Sequence, residues 1–334
     1  MSIEKKDLCF SDSMAFLAPP GQPPLFERGE RPAGISLAHL TTVPPIASME
    51  NFEAAYTEHC TFRALALSNP DVHEVLTQND VNRPGSTGLL FGMQQVPKNM
   101  SFKKVHALSE VGIRVMTLAY KTANEYGGGF ASESGLTEYG KDLIEWIAEC
   151  GMLLDLSHAN HKTADDALEF IREEQLLMRP MASHSGCASV YAHPRNLRND
   201  VIRGITKEGG YIGIPLINFF LGAEPGIPLL NFFRHVEYAV NIAGSKAVGI
   251  GSDCPHTDMT LRQAENQFTY MTRMLESQGL FGEYFPDRPE KIIRNGTQLF
   301  NILQRRLSKD YSTAIVENLC KKSFSSYLER ALPR

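Results

Sequence analysis

The sequence has few features that would place it outside the ordinary globular enzymes. It has no run of about 18 apolar residues, the length needed for a membrane-spanning helix. Its first ten residues are charged rather than apolar, which predicts no signal peptide. It has no basic stripe or lysine-rich tail, and the formal charge is −5, so the footprint of a nucleic-acid binder is missing. We therefore expect neither a membrane nor a nucleic acid as a partner.

Cysteine is scarce, with six residues in a chain of 334 and no CxxC pair. A chain of this length does not need disulfide bonds to stabilise its fold. Scattered cysteines of this kind are typical of reduced thiols, so we expect a cytoplasmic protein.

Short apolar runs alternate with longer amphipathic runs along the chain. Such alternation is typical of βαβ units and of a parallel sheet. The middle runs are almost continuously apolar, as expected for strands buried on both faces. We predict eight strands, at Asp7–Phe10, Gly34–Leu40, Gly88–Met93, Ile113–Ala119, Met152–Leu156, Arg179–Ala182, Tyr211–Leu216 and Ala247–Gly251.

Amphipathic segments lie between these strands, and Thr137 is a suitable N-cap for one of them. We predict helices at Ser48–Leu67, Phe102–Val111, Thr137–Cys150, Lys162–Glu174, Asp200–Glu208, Asn231–Ala243 and Arg288–Leu307. This alternation predicts an α/β fold, a single (β/α)8 TIM barrel over residues 1–334. The segment Ser312–Leu332 is expected to form an extra C-terminal helix that packs across the barrel.

Three residues with catalytic potential directly follow predicted strands. His158 follows the fifth strand, His184 the sixth and Asp253 the eighth. Barrel enzymes place their chemistry at the C-terminal ends of strands, where two imidazoles can converge on one metal ion. The aspartate would then be placed to take a proton from water. A lone histidine at a strand end is more often structural, but three such groups in one barrel favour a catalytic site.

The segments around these residues resemble motifs of the membrane (renal) dipeptidase family, peptidase family M19. Gly151–Ala159 is similar to the family motif GMxDLSHV, Met181–Ser185 to FSHS, and Ala247–Asp253 to AVGIGxDF. His193–Asn196, followed by Asp200, is similar to the family's RN…D loop. The resemblance implies a barrel of the metal-dependent hydrolase type and a dipeptidase-like metallohydrolase activity.

The resemblance carries over only part of the family's metal site. Family members hold two zinc ions through a His-x-Asp, a bridging Glu and two histidines, and only the histidines carry over, as His158 and His184. Met14 and Phe16 stand at the His-x-Asp positions, and Gln94 stands at the position of the bridging Glu. A bacterial branch of the family shares these departures.

The departures remove two carboxylates from the expected metal site. A thioether and a phenyl ring do not hold zinc, and a neutral amide is a poor bridge between two dications. We therefore predict one divalent metal at most, with zinc the expected ion. His158, His184 and Gln94 would bind it more weakly than an intact site does.

Two further residues are expected to contact the substrate. Arg195 matches the arginine with which the family binds the substrate carboxylate, and Tyr120 replaces a substrate-contacting histidine after the fourth strand. They predict a small-molecule substrate that carries a carboxylate. The alternative for Arg195 is a surface ion pair with Asp200.

Other candidate residues have weaker support. His256 and Asp258 form a His-x-Asp that is a minor candidate for replacing the lost ligands. Cys187 is expected to be a small loop residue rather than a nucleophile, and His161 a surface residue. Gly127–Gly129 lacks the lysine of a phosphate-binding loop, so we expect a flexible active-site loop there.

Three functions remain open from the sequence. The first is metal-assisted hydrolysis of a small dipeptide-like amide. The second is a non-peptidase reaction in a small-molecule pathway, catalysed by a lyase, an isomerase or another hydrolase, because a fold does not determine a function. The third is a pseudoenzyme that serves as a binding module. Metal content and a substrate panel that includes non-peptides would separate them. A homodimer is compatible with the sequence.

Overall fold

The computed structural model describes residues 10–16, 35–43, 47–222, 230–255, 305–309 and 311–334. Its strands run parallel to their neighbours in one sheet. They are β1 (Phe10–Phe16), β2 (Ile35–Val43), β3 (Val72–Glu74), β4 (Thr87–Met93), β5 (Ile113–Thr117), β6 (Leu153–Asp155), β7 (Met181–Ala182), β8 (Tyr211–Ile214), β9 (Val248–Ile250) and β10 (Cys254–Pro255).

Eight of these strands close a barrel. The order β1-β2-β4-β5-β6-β7-β8-β9 follows the chain, and β1 returns to pair with β9 through Asp12 and Ile250. The short strands β3 and β10 pair with β4 and β1. The predicted (β/α)8 TIM barrel is therefore confirmed, and β6, β7 and β9 are its fifth, sixth and eighth strands.

Of the predicted first strand, Asp7–Phe10, only Phe10 is among the described residues, and β1 continues from there to Phe16, beyond the predicted end. Because β1 contains polar residues, a search for apolar runs does not detect the whole strand. Two of these polar residues have partners inside the barrel, where Ser13 Oγ lies 2.7 Å from Ser183 O and Asp12 accepts the Ser252 hydroxyl. The prediction also missed β3, which has only three residues.

Helices connect the barrel strands. They are α1 (Phe52–Leu67), α2 (Phe102–Glu110), α3 (Glu138–Glu149), α4 (His161–Glu173), α5 (Asn199–Lys207), the short α6 (Asn218–Leu221) and α7 (Leu230–Ala243). Thr137 caps α3 as predicted, because its side chain accepts the Gly140 N–H. The prediction Ser48–Leu67 began too early, since Ala47–Glu50 forms a 3-10 turn. The predicted helix Arg288–Leu307 lies mainly outside the described residues.

The C-terminal helical segment closes one end of the barrel, as predicted. It consists of α8 (Thr313–Glu317), a π-helical turn and α9 (Ser323–Ala331). Tyr327 of α9 stacks near Tyr211, and its hydroxyl donates to Arg179 O at 2.6 Å. Both acceptor and ring partner lie at the starts of strands, so α9 covers the N-terminal end. The other end, where the strands finish, is left for the site.

The described barrel strands belong to one sheet, and the extension of that single domain to residues 1–334 stays a prediction. None of the helices described has both the length and the apolar character needed to cross a membrane.

Candidate active site

The structure brings the two strand-end histidines together. His158 and His184 are buried, and their Nε2 atoms lie 2.8 Å apart. His158 has a φ of 72°, a conformation that non-glycine residues adopt rarely and that is concentrated at functional sites. Burial lowers the pKa of both imidazoles well below its ordinary value, and the charge of Arg195 lowers it further. Both rings are therefore neutral, the form that binds metals.

A chain of polar groups fixes the orientation of His184. Ser183 Oγ lies 2.5 Å from Asp155 Oδ2 and 2.7 Å from His184 Nδ1. Because a carboxylate only accepts, we assign the hydroxyl proton to the bond with Asp155, and His184 Nδ1–H then donates to Ser183. This assignment leaves the lone pair of His184 on Nε2, facing His158.

Two buried aspartates brace the loops that follow the strands. Asp155 accepts the backbone N–H groups of Ser157 and Ser183, each at 2.9 Å. Asp12 accepts the N–H of Ser252 at 2.8 Å and its hydroxyl at 2.5 Å, which ties the first strand to the loop that carries Asp253. These carboxylates hold backbone, so their charges are already engaged at the base of the site.

Gln94 and Met14 border the histidine pair. Gln94 Nε2 lies 3.3 Å from His184 Nε2 and 3.8 Å from Met14 Sδ. The alignment that puts Met14 and Gln94 at ligand positions therefore places both beside the imidazoles. The side chain of Phe16 lies outside the described residues.

The donor set around the histidines suits one metal ion better than two. Two imidazole lone pairs can converge, and the Gln94 amide oxygen can face them if the amide is turned. Within the described ranges, no group of three or more His, Cys, Asp or Glu side chains is placed to hold a metal. A pair of dications would lack the anionic ligands that offset their charge, whereas a single ion needs fewer of them.

Asp253 follows the eighth barrel strand with a φ of 55°, a second unusual backbone conformation at this end of the barrel. Its N–H donates to Met14 O at 2.9 Å. Burial raises the pKa of its carboxyl to about 7, although the charge of Arg195 opposes the shift. A carboxyl with such a pKa can both accept and release a proton near neutral pH.

Arg195 is buried, with 3% of its surface exposed. Its Nη2 donates to His184 O at 3.1 Å, and its Nε has no hydrogen-bond partner among the described residues. The surface pair with Asp200 is wrong, because Asp200 pairs with Arg198 at 2.8 Å. Within the described part of the chain, no carboxylate lies within ion-pairing distance of Arg195. The guanidinium is thus placed to receive an anionic ligand.

Tyr120 stacks on His158, with ring centroids 3.9 Å apart and an interplanar angle of 22°. Burial raises the pKa of its hydroxyl, so the group is a neutral donor. Phe130 packs edge-on against Tyr120. The predicted substrate residue therefore lies in the site, and it also limits where the His158 ring can lie.

Three site residues escaped the sequence interpretation. His39 of β2 places Nδ1 2.8 Å from Ser13 O, and its buried Nε2 has no partner among the described residues. Its only signal was a histidine inside an apolar run. Phe130 and Phe220 have ring centroids 5.8 and 5.2 Å from the Arg195 guanidinium carbon. Nothing in their local sequence indicated that contact.

The triglycine segment Gly127–Gly129 was wrongly expected to be flexible. Gly128 N–H donates to Thr163 Oγ1 at 2.9 Å, and a Cβ on Gly128 would lie 2.1 Å from Ser134 O. The glycines therefore permit close backbone packing. His161 is also not a plain surface residue, since its half-buried ring contacts Asn196 O.

Cys187 is buried, and burial raises the pKa of its thiol to about 12, which argues against a nucleophile as expected. The minor candidates His256 and Asp258 lie outside the described residues.

The closed parallel barrel, with its two histidines at adjacent strand ends, defines a (β/α)8 barrel with a candidate active site at the C-terminal ends of its strands. The sequence model of the membrane dipeptidase family (peptidase family M19) matches residues 34–280, more than half of the chain. The chain therefore belongs to the membrane dipeptidase family.

Relatives and solved structures agree with this assignment. An uncharacterised dipeptidase of Schizosaccharomyces pombe is 28% identical over 170 residues, which are 48% of this chain and 39% of that protein. An amidohydrolase from Pseudomonas aeruginosa has a TM-score of 0.75 at 20% identity and 97% coverage of both chains. A metallopeptidase from Rhodobacter sphaeroides, liganded with a phosphinate mimic of L-Ala-D-Ala, has a TM-score of 0.72 at 17% identity, covering 97% of this chain and 99% of that one.

These two structural likenesses show the fold alone. The chain spans 39%, 44% and 58% of the length of three curated relatives that it matches.

Proposed function

We propose that this protein is a dipeptidase-like metallohydrolase that uses one divalent metal and cleaves a small amide substrate carrying a carboxylate. The observation that carries the proposal is the joining of His184 to Arg195. The Nε2 atom of His184 faces His158, and its carbonyl oxygen accepts from the Arg195 guanidinium at 3.1 Å. The proposed metal ligands, His158 and His184, and the proposed anion-binding group, Arg195, are thus in contact through His184.

The metal would be held by His158 and His184, with the amide oxygen of Gln94 as a third donor. Zinc is the ion we propose, because neutral imidazoles suit it and a solved M19 dipeptidase is described as a metallopeptidase. When bound, a divalent ion supplies Lewis-acid polarisation of the scissile carbonyl.

Protein side chains supply binding and proton transfer. Arg195 would hold the substrate carboxylate through its Nε, which has no partner among the described residues. Asp253 would accept a proton from the attacking water and return it to the leaving amine, since its pKa of about 7 allows both directions. Tyr120 would cover the substrate beside His158.

Hydrolysis of L-Ala-L-Ala and L-Ala-D-Ala by the zinc-loaded protein tests this function. The D-containing peptide is included because a structural relative binds its mimic. We expect cleavage of the free acids and weaker cleavage of the same peptides with an amidated C-terminus, which cannot pair with Arg195. His184→Ala should abolish the activity, whereas the exposed His106→Ala on α2 should not. No cleavage of any free dipeptide by the zinc-loaded wild type would overturn the proposal.

A second candidate has its own support. Met14 lies beside Gln94 where a two-metal peptidase would need charged ligands. That substitution favours a different reaction on the same barrel, by a lyase, an isomerase or another hydrolase, or a binding role without turnover. Non-peptide amides and lactones in the same panel separate the first of these from dipeptide cleavage. Tight binding of a dipeptide without turnover would indicate the binding role.

A cytoplasmic location is also proposed, supported by the free thiols of Cys60, Cys150, Cys187, Cys254 and Cys320. A homodimer stays a prediction.

A further inference from the structure

Arg195 carries its charge in a buried position, where an unpaired charge lowers the stability of the fold. It is buried, and the described residues offer neither a hydrogen-bond partner for its Nε nor a carboxylate to pair with it. A guanidinium stays protonated in proteins, so its charge needs compensation, which dipoles and π faces can supply beside the more distant carboxylates of Asp253 and Asp155. Its two described hydrogen-bond contacts are His184 O at 3.1 Å and a long 3.5 Å contact to Ser185 Oγ.

Two phenylalanine rings provide part of that compensation, one from a loop and the other from the short helix α6. The guanidinium carbon lies 5.8 Å from the centroid of Phe130 and 5.2 Å from that of Phe220. Both rings are 7% exposed. A cation over an aromatic face is stabilised more strongly when both are shielded from water. The rings also restrict the rotamers of Arg195, which aims the guanidinium before any ligand arrives.

The loop that carries Phe130 packs closely against neighbouring backbone. It follows the triglycine segment, and Phe130 N–H donates to Tyr120 O. A Cβ on Gly129 would lie 2.5 Å from that same carbonyl oxygen. The glycine requirement therefore serves to bring Phe130 against Arg195 and His158, whose ring centroid is 5.9 Å from that of Phe130.

The second ring is tied to the arginine's own loop. Asn196, the residue after Arg195, donates from Nδ2 to Phe220 O at 2.7 Å and to Tyr191 O at 2.9 Å. His193 of the same loop packs on Phe220, with centroids 5.2 Å apart. The Arg-Asn pair thus has two tasks, since the first residue presents the charge and the second holds the ring beside it.

We propose that Phe130 and Phe220 are positioning residues that set the affinity of Arg195 for the anionic group of its ligand. The proposal rests on the proposed function for the identity of the substrate. It does not rest on that function for the anion site itself, because the cluster is defined by its own contacts.

The kinetic test uses Phe130→Leu and Phe220→Leu in the zinc-loaded protein with a free dipeptide. Leucine keeps an apolar side chain and removes the π face. We expect KM to rise about tenfold in each variant while kcat changes less than about twofold, the scale of one desolvated cation–π contact. Phe220→Trp should restore KM, because indole is the strongest π partner. Phe232→Leu, a buried phenylalanine of α7 outside the site, is the matched control.

A second measurement works without turnover. The Nε–H signal of Arg195 in ¹⁵N-arginine-labelled protein, assigned by its loss in Arg195→Lys, is followed while acetate is added. Wild type and Phe232→Leu should respond at the same acetate concentration, and Phe220→Leu should need about tenfold more. An absent response in wild type, or equal acetate affinity in all variants, would overturn the positioning role. Failed dipeptide cleavage with an intact acetate response would instead overturn only the proposed reaction.

Discussion

The Nε2 atoms of His158 and His184 lie 2.8 Å apart, which is closer than two nitrogens that share a tetrahedral zinc ion. With Zn–N bonds near 2.1 Å, the two nitrogens would be about 3.4 Å apart. One ring must therefore shift by about half an ångström when a metal binds. His184 is held by Ser183, whereas His158 Nδ1 has no partner among the described residues. We infer that His158 is the ring that adjusts.

Ser183→Ala should weaken metal binding because it removes the hydroxyl that fixes the His184 ring. Loss of such a partner lowers metal affinity by about 10- to 100-fold. Competition with a chromogenic chelator measures the zinc Kd, and Ser189→Ala, an exposed serine in the following loop, is the control. An unchanged Kd in a variant that melts normally would show that Ser183 does not orient His184.

The purified protein should hold at most one tightly bound divalent metal per chain, because Met14 and Gln94 stand where charged ligands would be needed. Elemental analysis after extensive dialysis measures the stoichiometry. The triple variant Met14→His, Phe16→Asp and Gln94→Glu should raise it, since the new carboxylates offset the charge of a second ion. Two metals in the wild type would reveal ligands outside the described residues, with His256 and Asp258 the first to replace.

Asp253 should make the metal-free protein less stable as pH rises. Its folded pKa of about 7 lies above its ordinary value, so the folded state binds the proton more tightly than the unfolded state. The contribution is fully present below about pH 4 and is lost as pH rises through about 7.

Asp253→Asn removes this dependence. In urea unfolding with a chelator present, the variant should gain stability relative to wild type from about pH 4 to about pH 7 and then level off. A constant difference in stability between variant and wild type across that range would mean that the carboxyl has the pKa of a solvent-exposed aspartate. With metal restored, the variant should lose about 10²- to 10⁴-fold in kcat if Asp253 transfers the proton.

The fold was predictable because the strands between Gly88 and Ile250 are nearly continuous apolar runs that alternate with amphipathic segments, a pattern typical of a buried parallel sheet. The prediction of β1 ended too early, at Phe10 instead of Phe16, because Asp12 and Ser13 break that pattern. Their partners Ser252 and Ser183 are 240 and 170 residues away in sequence. Local hydrophobicity does not report a polar group that is satisfied over such a separation.

The residues of the candidate site also differ in whether the sequence predicts them. His158, His184 and Asp253 were predictable because each directly follows a strand, and parallel strands end at one edge of the barrel. Phe130 and Phe220 were not, because an aromatic residue outside the barrel strands has many possible partners. Only the closed fold brings them to Arg195.

Arg195→Lys should weaken ligand binding and also lower stability. A lysine ammonium lacks the planar fork that pairs with a carboxylate, and the loss should be about 1.5–3 kcal/mol in binding free energy. The burial of Arg195 and its bond to His184 O predict a lower melting temperature as well. Arg198→Lys is the matched control, because Arg198 is half-exposed and pairs with Asp165 and Asp200 away from the ligand.

Isothermal titration of Arg195→Lys with a free dipeptide and with its C-terminal amide shows whether Arg195 binds the carboxylate or only supports the loop. If Arg195 binds the carboxylate, the substitution weakens binding of the free acid and leaves binding of the amide nearly unchanged. Equal weakening of both would mean that Arg195 only supports the loop, and the carboxylate-bearing substrate would have to be abandoned.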